Sequence, residues 1–464
     1  MRLQTVKSIK CYLIYICISL TGIVGCKKDW LEEKPNKSLT VPSTLSDFQA
    51  LMDEFYGMNA NYPILAEMGA DGHYLEDVVF QNASNSYFVY KDAYLWSKTV
   101  KSIELQDWNL SYKRVLIDNI VLEGLEKIVP TDNIERQQSN DIKGQALFNR
   151  ARIFFELAQM FAPAYDNNSA DQDLGIVLKL LSDVTIPSNR STVKQTYDQI
   201  LKDLNEAKTL LPVRPLYLTR ASSSAVNALL ARVYLSMGNY DSAFTAADNC
   251  LKQYSQLLDY NDIPSTAMFM GRYNREVLSH TNYLPGIGGA ANNLIDHTLF
   301  NLYANNDLRK TRFYQENVDG SISYKGMYEN FPYYYFNGLA TDEVYLTRAE
   351  CSARAGRTND ALKDLNDLIV KRWDKNVPYP IITASTADEA LSIILMERRK
   401  ELVFRGTRWM DLRRLNKDPR YAVTLTRTVA GVEYTLEPNS YKYTFPIPDD
   451  IIQQTGMKQN PGWP

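Results

Sequence analysis

Apolar side chains recur every three or four residues along most of this chain, which is the spacing of one face of an α-helix. The clearest examples are residues 108–129, 140–161 and 192–211. Pro130 and Pro212 follow the first and third segments and predict where those helices stop. Thr192 and Gln195 match a capping box at the start of the third segment. Strict alternation of apolar and polar residues is rare, so the pattern predicts a mostly α fold with a few short strands.

Two further segments share a pattern of two helices joined by a tight turn. Residues 225–251 and 343–373 both combine small Ala residues with a central Gly, and Gly238 of the first matches Gly356 of the second at an offset of 118. Small residues let two helices approach closely, and Gly supplies the turn between them. The pattern resembles a tetratricopeptide repeat. Because the copies are not contiguous, we expect a tetratricopeptide-like helical scaffold with long irregular insertions, not a simple solenoid.

Three regions interrupt the helical pattern, residues 56–101, 254–340 and 416–464. The second is rich in Asn, Gly and Tyr, and the third reads as strands and loops. Within the second, the Gly-rich loop 286–290 lacks the third glycine of a dinucleotide fingerprint and predicts backbone of positive φ instead. Loops on a rigid scaffold tend to carry binding residues. We therefore expect ligand contacts in the first two regions.

Composition narrows the class of protein. The chain has 464 residues, of which 45% are hydrophobic and 23% charged, and its formal net charge is −3. These values exclude a mainly disordered chain and argue against a nucleic-acid partner. Three histidines do not favour a His-rich metal centre. The 31 tyrosines suit a wet recognition surface, because Tyr combines a flat apolar ring with a hydroxyl, although most of them are expected in the core.

Two smaller features are interpreted as structural. Cys250 and Cys351 lie in helical patterns among Ala and Leu, which is typical of small buried residues; a single disulfide between them is the alternative. Residues 166–173 cluster oxygen ligands but fail the EF-hand pattern. A solvated loop is the interpretation there, with a structural calcium ion as the alternative, and no cofactor is expected.

The first 25 residues read as a secretory signal, since a basic start precedes an uncharged run too short to span a bilayer. Small residues stand directly before Cys26, which resembles the lipobox of bacterial lipoproteins. The resemblance implies lipidation of Cys26 and removal of residues 1–25; a plain signal peptide with an accidental Cys is the alternative. Residues 26–42 are polar and contain two prolines, so we expect a lipidated tether.

The C-terminal third carries the most specific motifs. Residues 397–415 read ERRKELVFRGTRWMDLRRL, and residues 445–463 read FPIPDDIIQQTGMKQNPGW. Together with the lipobox and the tetratricopeptide-like units, they resemble the SusD/RagB family of surface lipoproteins of Bacteroidetes. The resemblance implies one SusD-like domain over residues 43–464. Its tetratricopeptide-like units would lie at about 108–165, 192–252 and 341–405, with an aromatic-rich insertion at about 254–340.

The first of these motifs is interpreted as a scaffold. Glu397 and Glu401 fall on one face of a helix. Four arginines are available to pair with them, Arg398, Arg399, Arg408 and Arg413. A carboxylate surrounded by Arg stays ionised, which suits structure better than a general acid. The alternative is an active site of paired carboxylates. Three apolar residues of the motif are expected in the core, Leu402, Phe404 and Trp409.

The family resemblance implies a non-enzymatic role at the outer membrane: capture of oligo- or polysaccharide and its delivery to a SusC-type TonB-dependent transporter. A sugar offers an apolar C–H face to aromatic rings and hydroxyls to polar side chains. Candidate ligand residues from the irregular regions are His73, Tyr94, Trp96, Tyr283, Asn292, Asn293, Tyr333, Tyr334 and Tyr335. The alternative function is a tetratricopeptide-like scaffold that binds peptide or protein ligands at the outer membrane.

Overall fold

A computed structural model describes residues 41–84, 87–100 and 105–464 of the chain. The signal segment, Cys26 and nearly all of the predicted tether lie outside the described residues. Residues Thr44–Pro464 form one compact unit. About 48% of the structure is helical, the strands are short, and no sheet in the described chain is closed. The prediction of a mostly α fold is therefore confirmed.

Helices provide the frame of the molecule. In chain order they are α1 (Leu45–Met52), α2 (Phe55–Met58), α3 (Leu65–Gly69), α4 (Asp77–Asn82), α5 (Phe88–Tyr94), α6 (Gln106–Leu125), α7 (Asn133–Phe161), α8 (Val193–Leu210), α9 (Ser223–Ser236), α10 (Tyr240–Gln253), α11 (His297–Phe300), α12 (Arg309–Arg312), α13 (Thr341–Arg354), α14 (Thr358–Ile369), α15 (Ala387–Glu401), α16 (Arg408–Leu415) and α17 (Asp449–Thr455). None of these helices is both long and apolar enough to cross a membrane.

Consecutive helices pack in pairs: α6 with α7, α7 with α8, α9 with α10, and α13 with α14. Gly238 and Gly356 sit in the turns of the last two pairs with φ of 71° and 75°. Glycine adopts this left-handed backbone without strain, which explains the matching glycines of the two segments. The capping box at Thr192 and Gln195 is confirmed, because each side chain accepts a hydrogen bond from the other residue's main-chain N–H.

The strands occupy mainly the irregular regions. They are β1 (His73–Tyr74), β2 (Leu174–Val177), β3 (Arg190–Thr192), β4 (Val277–Ser279), β5 (Asn282–Tyr283), β6 (Leu294–Ile295), β7 (Tyr314–Glu316), β8 (Ile322–Tyr324), β9 (Tyr335–Phe336), β10 (Leu339–Ala340), β11 (Leu425–Val429) and β12 (Val432–Leu436). One four-stranded antiparallel sheet has the order β1-β6-β8-β7. His73 pairs with Ile295 in it, so the first irregular region and the long insertion share a single layer.

The two glutamates of the 397–415 motif are buried, but their partners differ from the prediction. Arg309 lies 2.5 Å from Glu397 and 3.0 Å from Glu401, and Arg372 lies 2.6 Å from Glu401. The four arginines predicted as partners bind elsewhere: Arg398 to Asp411, Arg399 and Arg408 to Asp71, and Arg413 to main-chain carbonyls. Arg398 and Arg399 face other elements because neighbouring residues on a helix point about 100° apart, and Arg408 and Arg413 lie on a different helix, α16.

The predicted core residues of this motif and the predicted burial of two cysteines elsewhere in the chain are confirmed. Leu402, Phe404 and Trp409 are all buried in the core. Cys250 and Cys351 are buried free thiols, and burial raises the pKa of each to about 12. A thiol that stays protonated in an apolar core is a packing residue, and the alternative of a disulfide between them is not realised.

Candidate ligand cleft

Six of the nine predicted ligand residues are core side chains. Each is at most 4% exposed: His73, Tyr94, Trp96, Tyr283, Asn293 and Tyr335. Of the other three, Asn292 and Tyr333 are exposed and Tyr334 is half-buried. The role of all nine in ligand binding stays a prediction.

The rings of the early region are held by the protein itself. The Tyr94 hydroxyl accepts a hydrogen bond from Leu75 N at 2.8 Å, and Trp96 Nε1 donates to Gly69 O at 2.8 Å. The Arg427 guanidinium lies 3.6 Å from the Tyr94 ring centre and 4.7 Å from that of Trp96. It therefore covers ring faces on which a sugar would have to stack.

His73 lies in the same cluster and is a neutral packing residue. Its ring centre is 5.8 Å from Tyr94 and 5.6 Å from Phe404. Burial, reinforced by the positive charge of Arg427, lowers the pKa of His73 to about 3. Tyr283, in strand β5, is also held by the protein, because its hydroxyl donates to Phe404 O at 2.9 Å.

A surface cleft lies where the first irregular region meets the long insertion. Its volume is about 430 Å³, and it is lined by Val78, Val79, Asn82, Ala83, Tyr87, Gly288, Gly289 and Asn292. One wall is helix α4 with Tyr87, and the other is the Gly-rich loop. Pairing of β1 with β6 holds the two walls together, because α4 follows β1 closely in the chain and the Gly-rich loop precedes β6. Asn292 is the predicted ligand residue that lies in this cleft.

Lys91 fixes the end of the α4 wall. Its ammonium donates to Gln81 O at 3.4 Å and to Ala83 O at 3.3 Å, and it lies 5.0 Å from the Phe80 ring centre. A cation at the C-terminal end of a helix satisfies carbonyls that the helix leaves unpaired. The contacts hold Asn82 and Ala83 at the edge of the cleft.

The Gly-rich loop adopts the predicted positive φ, with 77° at Gly288 and 71° at Gly289. Asn292 Nδ2 donates to Gly288 O at 2.7 Å, which folds the loop back on itself. The Oδ1 atom of that exposed amide is left to accept a hydrogen bond from a ligand. A Cβ at Gly288 would stand 2.7 Å from Val79 Cγ1 and 2.8 Å from Asn292 Cβ, so the loop needs glycine there to approach α4.

We expect Gly288→Ala to damage the cleft more than Gly289→Ala. Both substitutions force an L-residue to positive φ, and at Gly289 the ψ of −178° places it in a region almost confined to glycine, so each variant carries a backbone cost of about 1–3 kcal/mol. Only the first also places a methyl group against Val79, whereas a Cβ at Gly289 meets nothing within 4 Å. Denaturation midpoints should show a further loss of about 1 kcal/mol for Gly288→Ala. Equal losses for the two variants would contradict the close approach of the loop to α4.

The chemistry of the cleft is neutral. Its lining combines the methyl groups of Val78 and Val79 and the ring of Tyr87 with two amide side chains, and none of the described lining residues is charged. Val78 is 56% exposed, so an apolar surface faces solvent beside hydrogen-bonding groups. This mixture favours a neutral ligand with both apolar and hydroxyl surfaces. Sequence reasoning missed Val78, Val79, Asn82 and Tyr87, and the only available signal was their place in the first irregular region.

Two further features bear on the predictions. Phe331 and Tyr333 are exposed on a loop of the insertion but do not line the cleft.

In the acidic segment 166–173, Asp166 accepts a hydrogen bond from Asn168 N and lies 3.2 Å from Lys417, and Asp173 accepts one from Ser169 Oγ. These contacts use several of the oxygens that a calcium ion would need.

Comparison with known families shows which family the chain belongs to. A family model described as "SusD family" matches residues 232–463, which is half of the chain, and one described as "Starch-binding associating with outer membrane" matches residues 29–235. The protein therefore belongs to the SusD family, as its C-terminal motifs predicted. Comparison with curated proteins finds no match.

Solved structures share the fold. A SusD superfamily protein from Bacteroides thetaiotaomicron has a TM-score of 0.72 at 23% identity, with 90% of this chain and 100% of that chain covered. A SusD-like carbohydrate binding protein from Bacteroides vulgatus has a TM-score of 0.66 at 18% identity, with 89% and 97% covered. A laminarin binding SusD-like protein has a TM-score of 0.63 at 19% identity, with 90% and 98% covered. At these identities the likeness concerns the fold.

Proposed function

We propose that this protein captures oligo- or polysaccharide in the cleft between α4 and the Gly-rich loop. The observation that carries the proposal is the uncharged lining of that cleft, in which an aromatic ring and exposed methyl groups lie beside two amides. The family description and the printed names of two relatives, one carbohydrate binding and one laminarin binding, point to the same class of ligand.

The lining suits a sugar in physical terms. The C–H face of a pyranose can lie against Tyr87 and the valine methyl groups, while its hydroxyls bond to Asn82 and Asn292. Polar groups left unpaired by a wrong sugar would supply specificity.

We infer that the protein binds its ligand without cleaving it. Glycoside hydrolysis requires two carboxyl groups at a defined separation. The described lining of the cleft holds no carboxylate, and Glu397 and Glu401 are engaged by Arg309 and Arg372 in the interior. Relatives named as binding proteins are consistent with this role.

We further propose a lipid anchor at Cys26, exposure at the outer cell surface, and delivery of the glycan to a SusC-type TonB-dependent transporter. The lipobox-like segment and the family description of association with the outer membrane support this arrangement. A doubly or triply acylated N-terminus would be a stable anchor.

A polysaccharide panel tests the binding proposal. Wild-type protein should be retarded in native gels that contain one of the glycans. Tyr87→Ala should weaken that binding by at least about tenfold, because truncation of a central aromatic side chain removes most of the binding energy of that contact. Tyr217→Ala is the matched control, since Tyr217 is a 58% exposed tyrosine that does not line the cleft.

Either of two results would count against the proposal. Retardation that Tyr87→Ala leaves unchanged would place glycan binding elsewhere on the protein. Absence of retardation by every glycan, together with binding of peptides, would favour the scaffold function.

A further inference from the structure

A group of exposed aromatic rings lies where helix α2 meets two loops of the insertion. Tyr56, Tyr273 and Phe331 are 65%, 42% and 55% exposed, and they come from three segments of the chain. The Tyr56 ring centre is 5.5 Å from that of Phe55. None of these described side chains lines the cleft between α4 and the Gly-rich loop. Rings exposed singly are common, but a contiguous group of them marks an interaction site.

Arg272 joins the three segments. Its guanidinium lies 4.6 Å from the Phe55 ring centre and 4.8 Å from that of Tyr273, so one cation contacts both rings. Arg272 N donates to Asn330 Oδ1 at 3.0 Å, and Phe331 is the next residue in the chain. Together these contacts form an aromatic platform, defined by Phe55, Tyr56, Arg272, Tyr273, Asn330 and Phe331.

Buried side chains fix the platform from the protein side. Arg272 Nε lies 3.3 Å from Glu329 Oε2, and Glu329 is buried. The buried His280 ring centre is 4.8 Å from that of Tyr273 and 6.4 Å from that of Phe55. Rings that are already fixed lose little conformational entropy when a ligand binds. The platform is therefore organised in advance for stacking.

Tyr273 also has an unusual backbone conformation. Its φ is 60°, in the left-handed region that a bulky L-residue seldom adopts. Residues held in such conformations cluster at functional sites. Burial of the ring does not account for the conformation, because the side chain that it presents is 42% exposed.

We propose that the aromatic platform is a second carbohydrate site, distinct from the cleft. The C–H faces of pyranose rings would lie against Tyr273 and Phe331. Asn330 is exposed and its Oδ1 is used by Arg272 N, so its Nδ2 group is left to donate to a sugar hydroxyl.

The class of ligand rests on the proposed function. A polysaccharide repeats its sugar unit, so the same polymer offers ligands to the cleft and to the platform. Two sites on one protein raise the avidity for the polymer without raising the affinity of either site for a short fragment.

Calorimetric titration of the full-length protein counts the sites. The probe is a trisaccharide cut from the polysaccharide that retards the wild-type protein most in the gel panel. We expect wild type to bind two equivalents, and Tyr273→Ala, Phe331→Ala and Tyr87→Ala to bind one each. In the gels, Tyr273→Ala should weaken binding of the polymer about tenfold, because truncation of an aromatic contact removes most of its binding energy.

Tyr441→Ala is the matched control. Its ring is 39% exposed, close to the 42% of Tyr273, but it packs 5.2 Å from the Trp463 ring centre instead of on the platform. This variant should keep two equivalents. Phe331→Ala guards against a folding defect in Tyr273→Ala, since it truncates a ring that is 55% exposed.

Failure of the platform is distinguishable from failure of the cleft. Two equivalents in both Tyr273→Ala and Phe331→Ala, or one equivalent in wild type that only Tyr87→Ala removes, would overturn the platform and leave the cleft standing. One equivalent that Tyr273→Ala removes and Tyr87→Ala retains would support the platform and overturn the cleft. Retardation by no glycan of the panel would overturn both.

Discussion

Replacing Arg309 by Met is expected to lower the free energy of unfolding by about 3–5 kcal/mol, the cost of removing one partner of a buried ion pair. Arg309 is fully buried and joins three carboxylates, Asp307 at 2.7 Å, Glu397 at 2.5 Å and Glu401 at 3.0 Å. Lys400 and Arg372 would remain as partial partners. Denaturant midpoints of the two proteins provide the measurement.

Arg220→Met is the matched control for this variant. Arg220 forms a bidentate pair with Asp53 at 2.6–2.8 Å, but the aspartate is 36% exposed. Pairs in contact with water contribute about 0–1 kcal/mol. A loss below about 1 kcal/mol in Arg309→Met would show that the three carboxylates do not depend on it.

Glu67→Gln is expected to abolish a pH dependence of stability. Burial raises the pKa of Glu67 to about 7; Gly406 N–H and Arg408 lower it, and Asp71 raises it, by smaller amounts. The folded protein therefore holds this proton more tightly than the unfolded chain. Stability from this group is complete below about pH 4.5 and falls by about 3 kcal/mol as the pH rises to about 7.

The comparison is made at pH 5 and pH 8, with urea midpoints as the readout. Wild type should lose more stability than Glu67→Gln between these values, and the variant should be the more stable protein at pH 8. Asp71 gives the opposite sign: burial would raise its pKa, but Arg408 and Arg399 outweigh burial and hold the pKa below its usual range. Asp71→Asn should therefore lose stability at neutral pH and much less in acid. A parallel pH dependence for wild type and Glu67→Gln would contradict the buried neutral carboxyl.

Local patterns were sufficient to predict much of the scaffold. Helix periodicity, the capping box at Thr192 and the turn glycines Gly238 and Gly356 depend on residues close in sequence, and all three were confirmed. The sheet was not predictable in this way. β1 and β6 have two residues each, and their pairing joins His73 to Ile295, so neither strand is long enough to show a period.

The same distinction between local patterns and contacts distant in sequence explains which residues of the candidate site could be predicted. The tyrosine count predicted that most rings lie in the core but could not say which, because burial of a given ring depends on residues distant in sequence. Arg427 covers Tyr94 although 333 positions separate them, and Arg309 reaches Glu397 across 88. Asn292 was predicted from a loop that does reach the cleft, whereas Tyr87 shares its wall with valines that no motif marks.

The crystal structure of the protein in complex with the glycan that retards it most in the gel panel tests the account directly. We predict a sugar ring against the Tyr87 ring, with a hydroxyl within about 3 Å of Asn292 Oδ1. A sugar bound only on the loop of Phe331 and Tyr333, or at another surface, would contradict the proposed cleft.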